Sequence, residues 1–276
     1  MTDNPPRSPH SAQPESGAES ADHAAGPTRR AAITSLGGAA LGLAAVSLAA
    51  PAVAQATSDA ARSGTASSST ALAAACVLTP EQTQGPYYLD LETVRKNITE
   101  GRTGVPLTLR ITVVNAATCA PLPNTAVDIW QCDALGIYSG YVSGGSTPDT
   151  TFLRGVQLTD STGVAEFTTI YPGWYVGRAL HIHVKTHAGG TVSNGKYQGG
   201  HVSHTGQLYF PETYNSKVAA LTPYRTNTTY RTLNAQDPFY RNGGSSTLLT
   251  VTQVGTDIST GVIGTVVVGI NPAATP

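Results

Sequence analysis

The clearest pattern in the chain is alternation over residues 106–114, PLTLRITVV, where Leu107, Leu109, Ile111 and Val113 interleave with Thr108, Arg110 and Thr112. A period of two places the apolar set on one face of a β-strand. Shorter runs rich in Val, Ile and Thr predict further strands at Ala126–Gln131, Val156–Thr159, Val164–Ile170, around His181 and His183, and at Gln207–Phe210, Thr247–Val254 and Gly261–Ile270. Turn residues separate them, as in Asp160-Ser161-Thr162-Gly163. Residues 133–150 read as a Gly/Ser-rich loop, 187–205 as a loop rich in Gly and His, and only Pro211–Leu221 reads as a short helix. There is no internal repeat and no sustained helical periodicity. The pattern predicts an all-β fold, an antiparallel sandwich or barrel with long loops and little helix.

The strands begin late in the chain. Residues 1–28 are polar, and Arg29-Arg30 then precede an Ala/Gly/Leu/Val-rich run ending in Ala52-Val53-Ala54. Paired arginines, an apolar run and a small-x-small cleavage pattern predict a twin-arginine-type signal peptide over residues 1–54, and hence export to the cell envelope or beyond. This leaves no stable membrane anchor. Residues 55–75 read as a flexible Ser/Ala-rich linker, and residues 76–276 as one domain. In an exported chain, Cys76, Cys119 and Cys132 suggest one disulfide and one free thiol. A predicted strand holds Cys119 and Cys132 apart, which favours Cys76 as a partner of one of them.

Only 12% of residues are charged and the net charge is -1, so nothing in the balance points to nucleic acid or an anionic surface. The oligomeric state is left open, with a homo-oligomer compatible with the sequence. The chemistry is concentrated elsewhere. Five of the 7 histidines lie between His181 and His204, and the chain has 12 tyrosines against 4 phenylalanines. On a strand, His181 and His183 share one face while Leu180, Ile182 and Val184 share the other. Such a pair is ready-made for a metal, although any isolated His-x-His is more often a pair of solvated side chains.

Three segments change that balance: Trp130 to Tyr141 (WQCDALGIYSGY), Pro172-Gly173-Trp174-Tyr175, and Arg178-Ala179-Leu180-His181-Ile182-His183. In this order they resemble the intradiol ring-cleaving catechol dioxygenases, and most closely an exported bacterial branch similar to the protocatechuate 3,4-dioxygenase catalytic chain. The resemblance runs from Cys76 to the final strand, and it implies an antiparallel β-sandwich with long active-site loops. It implies one non-haem Fe(III) per chain, held by the tyrosinates Tyr138 and Tyr175 and by His181 and His183. Tyr175 is then the ligand displaced by substrate and a catalytic base, and Arg178 a catalytic and substrate-binding cation. Gln207 and Tyr87 become substrate contacts. The implied reaction cleaves a catechol-type ring between its two hydroxyls with O2, giving a muconate-type diacid. Thr79 to Tyr88 also resembles a family segment that lies near the pocket.

Tyr141 competes with Tyr138, and Tyr171 with Tyr175, each as a packing residue. Asp133 reads as a turn-fixing residue, Trp130 and Trp174 as packing, and His187, His201 and His204 as loop residues. Only five residues separate Tyr175 from His181, fewer than in the family's cytoplasmic enzymes, and the segment from His183 to Gln207 is longer. Both departures fall where substrate is selected, so the identity of the catechol is not carried over. A zinc-dependent hydrolase built on His181 and His183, or a non-catalytic binding module on the same fold, is the rival reading. Zinc, however, prefers His, Cys and carboxylate to tyrosine.

Overall fold

A computed structural model describes residues 77–141 and 150–276. The predicted signal and linker, Cys76, and residues 142–149 of the Gly/Ser-rich loop lie outside the described residues. Ten strands are seen: β1 (Pro106–Asn115), β2 (Ala126–Trp130), β3 (Arg154–Leu158), β4 (Val164–Ile170), β5 (His181–Ala188), β6 (Thr191–Ser193), β7 (Lys196–Gln198), β8 (His201–Tyr209), β9 (Thr250–Gln253) and β10 (Val262–Ile270). One eight-residue helix, α1 (Glu212–Ala219), follows β8. No described helix is long and apolar enough to cross a membrane.

Two four-stranded sheets, ordered β4-β1-β10-β9 and β3-β2-β5-β8, enclose the core. The alternation seen in the sequence is its cause. Leu107, Leu109, Ile111 and Val113 of β1 point inward with Val266 and Val268 of β10, and meet Val127, Ile129, Ile182, Val184 and Leu208 of the second sheet. Burying each such side chain contributes about 1.5–3 kcal/mol. One pairing departs from the antiparallel expectation: β10 runs parallel to β1, with Leu107 opposite Val262. A parallel partner needs a long connection, and here nearly the whole domain supplies it.

The loop expected over residues 187–205 is instead strand. β5 extends to Ala188, β8 starts at His201, and between them β6 and β7 form a hairpin closed by Asn194-Gly195. Both turn residues have positive φ, 51° and 72°, the requirement of a type I′ turn. His187, His201 and His204 therefore lie on strands rather than in a loop. The single disulfide-bonded cysteine described is Cys119, and Cys132 is free and buried.

A candidate metal centre on the outer face of the second sheet

In β2, β3, β5 and β8 the residues that do not face the core are unusually polar. Cross-strand register sets Arg154, Trp130, His183 and Gln207 in one row across the sheet, with His181 opposite Tyr209 and Asp128 opposite Lys185 in the rows on either side. All eight side chains are buried. Cover comes partly from the segment before β1. Gln82 donates from its backbone to Thr205 O, the Thr83 carbonyl accepts from Gln207 Nε2 at 2.9 Å, and Glu81 takes bonds from His204 Nδ1 and Thr205 N. This brings Gly85 so close to His183 that a Cβ there would lie 3.1 Å from the ring's Cε1. The Thr79–Tyr88 segment thus lies over the site, as expected from the sequence.

The two tyrosine-bearing turns are built against each other. Asp133 Oδ1 accepts from the backbone N–H of Leu135 and Ile137, fixing the turn that leads to Tyr138, the role read for it. Gly136, at φ +85°, approaches the Trp174 carbonyl so closely that a Cβ would sit 2.3 Å from that oxygen. Gly173 donates its N–H to the Asp133 carbonyl at 3.1 Å. Trp174 is packed in the core and donates from its indole to Thr229 O at 2.7 Å.

These turns bring Tyr138 and Tyr175 to the histidines, with ring centroids 5.7 Å apart. The Tyr175 hydroxyl lies 3.2 Å from His181 Nε2, which lies 3.1 Å from His183 Nε2. The Tyr138 hydroxyl is buried without a hydrogen-bond partner of good geometry. His181 Nδ1 donates to the Ala179 carbonyl at 2.6 Å, leaving Nε2 with its lone pair facing the cluster. Tyr171 is elsewhere, donating to Asn215 Oδ1 in the core, and Tyr141 reaches the Tyr88 carbonyl. Tyr171 thus stands apart from the histidines, whereas Tyr141 packs edge-on against Tyr87 in the aromatic cluster around Tyr138.

Electrostatics keep these groups neutral without a cation beside them. Burial, then the neighbouring Tyr175, holds the Tyr138 phenol well above its ordinary range. Tyr175 is pushed up to about 12 by burial, with Arg178 pulling the other way. Burial and then Arg178 bring His181 down to about 3, and burial and then His181 hold His183 well below the ordinary imidazole range. The His181 Nε2 lone pair, His183 Nε2 and two phenols converge in a space that disfavours protonated imidazole and free phenolate alike. A cation resolves that conflict.

The donor spacing fits one. Ligand atoms about 2.1 Å from a common ion and at right angles to one another are about 3 Å apart. Two hard phenolic oxygens and two borderline imidazoles suit ferric iron. Zinc has less to hold it, because no group of three or more His, Cys, Asp or Glu side chains converges among the described residues.

Arg178 stands beside the four. Its Nε donates to Asp237 Oδ2 at 3.0 Å, while its Nη2 donates to Gln207 Oε1 and, at 3.1 Å, to the Tyr209 hydroxyl. The Phe239 ring lies 4.3 Å from the guanidinium carbon. Burial opposes its charge, yet Tyr175, Tyr209 and Asp237 outweigh burial and hold the guanidinium firmly protonated. Gln207 is fully buried, not a solvent-facing strand residue. Tyr87 stacks on Tyr138 with centroids 4.5 Å apart, so its ring walls the site. Two members went unread in the sequence. Tyr209, two residues beyond Gln207, shares its face by the period of two. Asp237 carries no local signal, since it arrives from a distant loop.

A family model described as Dioxygenase matches residues 83–212. The structure is similar to an intradiol ring-cleavage dioxygenase from Tetranychus urticae, at 31% identity and TM-score 0.64, covering 73% of this chain and 98% of that one. A second dioxygenase crystal structure aligns at 31% identity and TM-score 0.65, covering 73% and 97%. The dioxygenase domain of a dioxygenase carbohydrate-binding protein fusion from Streptomyces sp. SirexAA-E shares 30% identity over 68% of this chain and 94% of that one, with TM-score 0.48. No curated protein matches the chain.

Proposed function

This chain belongs to the intradiol ring-cleavage dioxygenases, and from that premise we propose that it is a non-haem Fe(III) enzyme cleaving catechol-type rings between the hydroxyls with O2 to give muconate-type diacids. The observation that carries the reading is the convergence of Tyr175 Oη, His181 Nε2 and His183 Nε2 within 3.2 Å steps beside the buried Tyr138 side chain. Tyr138, Tyr175, His181 and His183 hold the metal. When bound, ferric iron would supply a Lewis-acidic centre that favours the ionised catechol and activates the ring toward O2.

The residues around it have separable tasks. Tyr175, ionised while it helps hold the metal, would take up one catechol proton at Oη as the substrate binds, and burial favours the phenol so formed. Tyr138, deeper and stacked under Tyr87, stays in place. Arg178, fixed by Asp237, Gln207 and Tyr209, presents a permanent cation to negative charge developing on the ring. Gln207 links the row carrying His183 to the covering segment through Thr83 O, and the packed aromatic walls exclude water. Export through the N-terminal segment belongs to the same proposal, since the reaction needs no cytoplasmic reductant.

Tyrosinate ligation of Fe(III) absorbs visible light, so the ferric-loaded protein should be wine-red. Oxygen uptake over a panel of catechols then identifies the substrate. A protein that stays colourless after ferric loading would sink the reading. Tyr138→Phe and His183→Ala should lose iron, whereas Tyr175→Phe should retain it and turn over at least about tenfold more slowly. Unimpaired ring cleavage by all three variants would show the ligand set to be wrong.

A further inference from the structure

Behind the proposed metal ligands lies a second buried polar cluster. The row across the sheet reads Arg154, Trp130, His183, and the Trp130 indole lies flat on the His183 ring, with centroids 4.8 Å apart and planes within 4°. Trp130 also lines a cavity of about 10 Å³, together with Tyr88, Asp128, Arg154, Glu92 and Arg95 among others. Three of these side chains leave a polar atom buried without a partner: Trp130 Nε1, Arg154 Nη1 and Asp128 Oδ2. Each side chain is at least nine-tenths buried.

The three atoms are complementary to one molecule. Nε1–H and Nη1–H donate, and Oδ2 accepts from a donor. A water needs roughly 10–15 Å³ and two to four polar partners, and it accepts two hydrogen bonds while donating one or two. A buried group left unpaired costs about 1–3 kcal/mol, more if charged. The other two guanidinium nitrogens are already engaged. Arg154 Nε and Nη2 donate to Ser139 Oγ and Ser139 O, each at 2.7 Å, and the Tyr88 phenol hydrogen-bonds the Asp128 carboxyl. Lys185 Nζ sits 3.6 Å over the Tyr88 ring.

The cluster therefore touches both segments that carry permanent ligands in the proposed function. Trp130 backs His183, and Arg154 clamps Ser139, the residue after Tyr138. We propose that Asp128, Trp130 and Arg154 bind a single buried water, and that this water-linked cluster positions His183 and Tyr138. The first half stands on cavity and polar atoms alone, while the second rests on the ferric reading.

Two measurements separate these halves. A crystal structure of the metal-free protein should show one ordered water within hydrogen-bonding distance of Trp130 Nε1, Arg154 Nη1 and Asp128 Oδ2. Its absence overturns the water site. Trp130→Phe keeps an aromatic face on His183 but removes the indole donor, and Arg154→Lys keeps the charge but cannot make all three bonds. Each iron-loaded variant should show a shifted tyrosinate charge-transfer band and a kcat roughly tenfold lower, with KM within about twofold of wild type, the size expected for groups that orient metal ligands. Either variant, once folded by circular dichroism, overturns the positioning role if its band and kcat match wild type. A loss of thermal stability with an unmoved band means a packing role only and overturns it too. Should the wild type take up no iron, the ferric reading and the positioning role fall together, and the crystallographic water decides the rest.

Discussion

Arg178 shows how a single side chain is made useful by what holds it. Its fork is shared between a fully buried carboxylate and two neutral acceptors, and Asp237 also takes the Ala179 N–H at 2.9 Å. Arg178→Lys preserves the charge but cannot reproduce that three-way geometry. It should retain iron and colour while kcat for ring cleavage falls by roughly 10- to 100-fold, a loss of about 1.4–2.7 kcal/mol in transition-state stabilisation. Full activity with lysine would reduce the arginine to a structural ion pair. Asp237→Ala should cost about 3–5 kcal/mol of stability in urea unfolding, because it leaves a buried guanidinium uncompensated. At this scale the sequence was readable where a residue acts through its neighbours along the chain. His181 and His183 share a face by strand period alone. Asp237 was invisible because its partner lies 59 positions away and no spacing rule connects them.

Among elements, the site depends on two turns and one row of a sheet. The row Arg154–Trp130–His183–Gln207 follows from register, and register follows from which face of each strand is apolar. The strands were therefore legible, while their pairing was not, since alternation reports a face and not a neighbour. The β6–β7 hairpin was read as loop because three-residue strands fall below the length at which alternation is visible. Its Asn194-Gly195 turn was nonetheless a usable signal. The turns approach through Gly136, where any side chain meets both a positive φ and the Trp174 carbonyl. Gly136→Ala should separate the Tyr138 and Tyr175 turns, lowering iron affinity at least tenfold and stability by about 1–3 kcal/mol. Equilibrium iron titration and thermal melting check this, and wild-type values for both would refute it.

For the molecule as a whole, the buried titratable groups set a pH range. Burial pushes the Asp128 carboxyl up to about 7, with Tyr88 and Lys185 pulling it down, whereas in an unfolded chain it titrates near 4. Between about pH 4 and 7 the folded state keeps a proton that the unfolded state has lost, so this contribution to stability declines as pH rises and levels off above about 7. His181, brought down to about 3, works in the other direction. The unfolded imidazole gains a proton below about 6.5 that the folded one refuses, so stability falls as pH drops through that window. Asp128→Asn isolates the first effect. Relative to wild type it should gain on the order of 1–3 kcal/mol between pH 5 and pH 8 in urea unfolding. A pH-independent difference would show that the carboxyl titrates normally.

The parallel seam between β1 and β10 has a bearing on how the molecule comes into being. β10 occupies an inner place in its sheet, hydrogen-bonded to β1 on one side and to β9 on the other. On a ribosome, β1 emerges early and must wait for almost the entire domain before its neighbour exists. Contacts of such high sequence separation pay loop-closure entropy first and make for slow folding. Until then β1 exposes an unpaired edge next to the Leu107–Val113 apolar face, which makes the nascent chain a natural client for holding chaperones. The sandwich is in effect latched by its last strand, so translation must run to Ile270 before the β4-β1-β10-β9 sheet is complete.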